Sequence, residues 1–310
     1  MQYIGLQAQI NRNNFRSSLL LIAFPALLLG LVWLFFFIIS DAEDTGSLIW
    51  ANDSFLEMIP FVLGVVGIWF CIAWFSHTSM IRKATGSKPL ERKENKRVYN
   101  LVENLCMSRG MKNPKVNIIN DDSLNAFASG INDKTYTVTL SRGIINKLND
   151  EELEAVIAHE LTHIQNRDVR LLIISIIFVG IFAFVSEMAF RSLRYSGRSR
   201  GKKGNQLMLL IGLLAFAGYL LSMLFRFALS RKREFLADAG AVEMTKRPDA
   251  LASALRKISA DPWIEAVKRQ DVAQMFIDHP TKKEKKSMGI SGLFATHPPI
   301  EERIAVLEQF

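Results

Sequence analysis

Cysteine is scarce in this chain. Cys71 and Cys106 are its only two thiols. One lies in an apolar stretch and the other in a charged region, so no disulfide framework is expected and both read as free thiols in a reducing compartment. Internal repeats and extended low-complexity tracts are absent. Charge is also withheld selectively. The stretch Asp41–Met58 carries Asp41, Glu43, Asp44, Asp53 and Glu57 with no Lys or Arg. The stretch Arg191–Lys203 carries Arg191, Arg194, Arg198, Arg200, Lys202 and Lys203 with no acidic residue.

What the chain has in excess is apolar length. Its 310 residues are 49% hydrophobic, with mean hydropathy +0.16. That is too apolar for an ordinary soluble domain and too charged for a purely intramembrane one. Ser17–Ser40 and Ile59–Ser76 contain no charge. Leu171–Phe190 is apolar except for Glu187, and Leu207–Leu229 except for Arg226. About 20 apolar residues span a hydrocarbon core, so residues 17–40 and 59–76 read as transmembrane helices and 171–229 as a hydrophobic hairpin. A cleavable signal peptide fits the first run poorly, because Asp41-Ala-Glu-Asp44 stands where a small-residue cleavage site belongs.

Basic residues set the orientation. Arg12 and Arg16 precede the first run, and Arg82, Lys83, Lys88, Arg92, Lys93, Lys96 and Arg97 follow the second. The positive-inside rule then gives a cytosolic N-terminus at 1–16, an external acidic loop at 41–58, and cytosolic parts at 77–170 and 230–310. Two crossings are the expected reading of the hairpin, and the basic loop inside it counts against them. An even number of crossings is still required if residues on both sides build one site. The net charge of +8 sits beside apolar runs, where it anchors anionic headgroups, and no nucleic-acid motif accompanies it. The bilayer, not nucleic acid, is the expected partner.

In the cytosolic part, Glu91–Met107 has helical spacing. Val116–Ile119, Ala126–Ser129 and Thr135–Leu140 read as strands of a small, mostly antiparallel sheet. Asn149 with Glu152 forms a capping box opening a helix that runs to about Asn166 and continues towards the third apolar run. Further helices are expected at 230–245, 249–260 and 300–310, with a loop at 278–292.

Inside the capped helix stands His159-Glu160-Leu-Thr-His163. Residues four apart lie on one helical face, so the two imidazoles can share one ion. Glu160 is placed to reach a water beside it. This is the donor set of hydrolytic Zn²⁺ sites, in which the Glu acts as general base. The plain alternative is an amphipathic helix with two incidental histidines. Two imidazoles hold Zn²⁺ weakly, so a third ligand is needed. Val169 and Asn166 exclude the metzincin pattern. Glu234 and Asp238, four apart on one face, suit a ligand and a carboxylate that orients an imidazole. A surface ion pair in a basic helix explains Glu234 equally well, and the residues alone leave both readings open.

The chain resembles the HtpX-type membrane zinc endopeptidases, and more distantly the CAAX prenyl endopeptidases of the same gluzincin group. The resemblance runs through the two early apolar runs, Asn125-Ala-Phe-Ala-Ser-Gly130, Ser141-Arg-Gly143 and Ala158–Asp168. It continues through the second apolar pair, Ser230–Asp238 and Thr296–Arg303. It implies an α-helical membrane protein with a cytosolic α+β zincin-like catalytic domain, its sheet packed on the HExxH helix, in a bacterial inner membrane. It implies one Zn²⁺ per chain on His159, His163 and Glu234, with Glu160 as base and Asp238 behind a ligating His. His297 would stabilise the oxyanion, and Asn125, Ala126, Phe127 and Ala128 would form an edge strand for peptide substrates. The implied activity is cleavage of cytosol-exposed segments of membrane proteins, in quality control and stress response. A non-catalytic membrane scaffold of the same fold is the competing class. Four apolar runs are too few for a prenyl endopeptidase, and Glu187 and Arg226 give too little polarity for a transporter.

Overall fold

The apolar runs form long helices because nothing in them competes with the backbone ladder. In the computed structural model, α1 spans Leu6–Ile39 and α2 spans Thr45–Thr85, each tolerating an internal proline, Pro25 and Pro60. α2 begins at Thr45, so most of the acidic stretch expected as loop is helical. The structure describes residues 6–40, 45–195, 202–227, 231–260, 275–277 and 298–309. Among these, 3 helices are long and apolar enough to cross a membrane: Ile10–Ile39, Thr45–Thr85 and Asp168–Ser192. The fourth apolar run lies in a helix whose Gln206–Leu221 portion is apolar but shorter.

The chain divides into two compact units. The apolar unit comprises 15–75 and 174–226. Inside it the Phe24 and Phe178 rings stack at 4.8 Å, and Trp69 Nε1 donates to the Ile177 carbonyl at 3.3 Å. Gly218 lets Phe182 and Leu31 close in, since a Cβ there would meet them at 2.6 and 2.7 Å. Its outer face carries Ile22, Phe61 and Phe75, all largely exposed. So much outward apolar surface suits lipid rather than water.

The second unit comprises the described residues within 1–14, 76–173 and 227–310. Its sheet is built from β1 (Lys88–Pro89), β2 (Lys115–Ile119), β3 (Ala126–Ser129) and β4 (Thr137–Ser141). The order is β1-β2-β4-β3. β1 with β2 and β3 with β4 are antiparallel, but β2 and β4 run parallel, Val116 opposite Val138. The sheet is mostly antiparallel, as expected, with the β2–β4 pairing the parallel exception. The hairpin of β3 with β4 turns back so that β4, not β3, lies beside β2. Alternation within strands carries no information about which neighbour a strand takes.

Helices clothe this sheet. α3 spans Lys96–Arg109, starting later than the spacing suggested because Asn95 caps it by accepting from the Val98 amide at 3.0 Å. Its C-cap Gly110 has φ 62, the left-handed geometry glycine tolerates. α4 (Arg142–Lys147), unforeseen in the sequence, is capped by Ser141. α5 spans Asp150–Gln165 and α6 spans Asp168–Tyr195, with Arg167 at φ 60 in the bend between them. α7 (Lys202–Phe227), α8 (Arg231–Thr245), α9 (Pro248–Ala260) and α10 (Ile300–Leu307) complete the described helices. α5 is central, packing on β3, β4, α3, α8 and α9.

The capping box that opens α5 has both of its bonds. Asn149 Oδ1 accepts from the Glu152 amide at 2.9 Å, and Glu152 Oε2 accepts from the Asn149 amide at 3.0 Å. Buried Glu152 also takes Ser253 Oγ and Lys257 Nζ, each at 2.7 Å, tying α5 to α9. Burial alone would raise its pKa, but these bonds outweigh it and lower it. Asn149→Ala removes one cap bond and should lower unfolding free energy by about 1 kcal/mol. The check is a fall in the thermal midpoint in detergent; an unchanged midpoint contradicts the role.

Candidate metal centre

α5 presents His159, Glu160 and His163 on adjoining faces of one buried turn. α8 lies against it, and the approach is close. A Cβ on Gly240 would stand 2.4 Å from Thr162 Cγ2. Thr162 has no freedom to yield, since its hydroxyl donates to the Ala158 carbonyl at 2.8 Å. This contact brings Glu234 over the two imidazoles. His159 Nε2 lies 3.7 Å from Glu234 Oε2, and His163 Nε2 lies 3.6 Å from Glu234 Oε1. The donor atoms of the three residues fall within 4.8 Å of one another.

These residues fit a metal ion. A tetrahedral ion bonded at about 2.0–2.2 Å to each donor holds its ligand atoms about 3.4 Å apart. His159 is fully buried, and its Nε2 has no hydrogen-bond partner among the described residues. An imidazole nitrogen is rarely left so without a ligand for its lone pair. The other nitrogens face carboxylates. His159 Nδ1 is 2.9 Å from Asp238 Oδ1, and His163 Nδ1 hydrogen-bonds Asp168 Oδ2 at 3.1 Å. Each ring is thereby oriented with Nε2 towards the focus.

The buried acids are compensated. Arg303 of α10 grips Asp238 through Nε at 2.8 Å and Nη2 at 2.7 Å, and reaches Glu234 at 3.8 Å. Burial would raise the Asp238 pKa, but Arg303 outweighs it and holds it down at about 2. Burial lowers the His159 imidazolium, yet Asp238 and Glu234 override this and lift it to about 9. Glu160 is raised as well: burial pushes its pKa up and outweighs His159, His163 and the backbone amide of Ala128.

Asn125, Ala126, Phe127 and Ala128, expected as a substrate strand, are buried in and beside β3. Asn125 Oδ1 accepts from the Ala126 amide at 3.0 Å. β3 is an edge strand of the four-stranded sheet, but its outer side is not bare. Phe276 bridges to Phe127, and the Ile277 amide donates to Ala126 O at 2.9 Å. His297 lies outside the described residues. Sequence reasoning assigned no role to Asp168 or Arg303. Asp168 carries a local signal, since it sits just past the bend that ends the HExxH helix. Arg303 carries none beyond its place in the late Thr296–Arg303 segment.

The contact between α5 and α8 yields a direct test. Gly240→Val forces α8 away from Thr162 and displaces Glu234 and Asp238, so activity should fall on the order of a hundredfold. Peptidase assays with metal content measured alongside check this, and a fully active Gly240→Val variant would refute the close-packing account.

Residues 92–310 match peptidase family M48. A Protease HtpX homolog of Bacteroides fragilis is 62% identical over 322 aligned residues, covering 100% of both chains. Homologues of the same name from Dictyoglomus turgidum and Lactobacillus helveticus are 40% and 33% identical, covering 79% and 98% of this chain and 82% and 99% of theirs. The crystal structure of S. mikatae Ste24p superposes with TM-score 0.49 at 19% identity, covering 96% of this chain and 66% of that one. M48 peptidases are zinc metalloproteases, and the apolar helices here place this one with membrane proteins. The chain belongs to peptidase family M48.

Proposed function

We propose that this chain holds one Zn²⁺ between His159, His163 and Glu234. With it the chain cleaves cytosol-exposed segments of membrane proteins in a bacterial inner membrane, as part of membrane protein quality control. The observation that carries the reading is the convergence of two imidazoles and one carboxylate within 4.8 Å, beside a buried Glu160. Exposed apolar faces on Ile22, Phe61 and Phe75 support residence in the bilayer, where the substrates would lie.

Zinc, when bound, supplies a Lewis acid for the scissile carbonyl. Glu160 takes the proton of the attacking water and delivers it to the leaving amine. Its raised pKa suits both halves of that transfer. Asp238 and Asp168 keep the two imidazoles turned towards the substrate side of α5. An extended peptide pairs along β3 through backbone hydrogen bonds, which read shape more than sequence. Such a peptide competes with Ile277 for the Ala126 carbonyl.

Glu160→Gln should keep the metal and lower casein cleavage in detergent by about 10²–10⁴-fold. Glu234→Ala should lose both metal and activity. Cleavage by Glu160→Gln at the wild-type rate, or stoichiometric zinc on Glu234→Ala with unchanged affinity, would sink the proposal.

A further inference from the structure

The carboxylate behind His163 is itself held by the start of the first helix. Asp168 spends Oδ2 on His163 Nδ1, and its Oδ1 accepts from Asn13 Nδ2 at 2.7 Å. Asn13 lies on α1 and is fully buried. Its amide nitrogen also donates to the Asn166 carbonyl at 2.8 Å, at the C-cap of α5. Both amide protons are therefore used, one on the helix bearing the imidazoles and one on the carboxylate that orients His163.

The amide's own oxygen has no hydrogen-bond partner among the described residues, so the side chain serves through its two donors. The neighbouring residue reinforces the contact. Arg167 Nη1 donates to Asn14 Oδ1 at 3.0 Å. Arg167 is the left-handed residue of the bend between α5 and α6, a conformation that a residue with a Cβ rarely adopts.

We propose that Asn13 is a positioning residue of the metal centre, fixing the plane of Asp168 and through it the orientation of His163. A buried carboxylate with one oxygen committed to an imidazole needs a donor for the other. Asn supplies that donor without adding charge. Asp would supply none and would repel Asp168, and Ser would supply one donor. The proposal rests on the reading of His163 as a ligand.

The test uses full-length protein in detergent, comparing wild type with Asn13→Ala, Asn13→Ser, Glu234→Ala and the exposed-site control Arg12→Ala. Zinc affinity is read by chelator competition, and site geometry by the visible absorption of Co²⁺-loaded protein. A tie between helices alone would shift the thermal midpoint and leave the Co²⁺ band of folded protein unmoved. Asn13→Ala should weaken zinc binding on the order of tenfold and alter the Co²⁺ band. Asn13→Ser should fall between it and wild type, and Arg12→Ala should match wild type. Wild-type affinity with a superimposable band in Asn13→Ala overturns the proposal. Should Asn13→Ala not fold, Asn13→Ser decides by the same criterion. Failure of the ligand reading shows separately, as a wild type that binds no stoichiometric metal or a Glu234→Ala variant that binds it normally.

Discussion

The contact between α5 and α8 is the constraint on which the second unit depends. The chain runs through α6 and α7 between them, yet Gly240 must sit against Thr162 closely enough to exclude a Cβ. Only at that separation does Glu234 stand 3.6–3.7 Å from both Nε2 atoms. Sheet, capping box and α9 all act on α5, fixing one side of the contact. Arg303 acts on α8 through Asp238, fixing the other.

Placing four carboxylates in a buried site creates an electrostatic problem that the same groups resolve. Glu160, Asp168, Glu234 and Asp238 are all buried. Unpaired, each would cost several kcal/mol in desolvation or would be protonated. Arg303 compensates Asp238 and lies near Glu234, while the two imidazoles share the rest. Each imidazole thus has its own carboxylate, and each carboxylate its own anchor: Arg303 for Asp238, Asn13 for Asp168. An ion at the focus would draw on two imidazoles whose rings are each oriented by a carboxylate.

Local features were readable from sequence and long-range ones were not. The Asn149–Glu152 capping box, the span of β3 and the end of the capped helix at about Asn166 follow from neighbours in the chain, and all three stand in the structure. The four-residue spacing of Glu234 and Asp238 suggested one face of α8, and both do turn towards His159. The parallel pairing of β2 with β4 is a choice between neighbours that alternation cannot express. Asn13 on Asp168, Arg303 on Asp238 and Ile277 on Ala126 join residues far apart in sequence. No periodicity links such partners, and a polar residue on a helix looks the same whether it meets water or a buried carboxylate.

X-ray absorption at the zinc edge, on purified full-length protein loaded with the metal, tests the central claim most directly. The account predicts one zinc per chain with a first shell of two imidazole nitrogens and light oxygen donors, one of them carboxylate. A shell containing sulfur or a single imidazole, or the absence of stoichiometric zinc from folded protein, would contradict it.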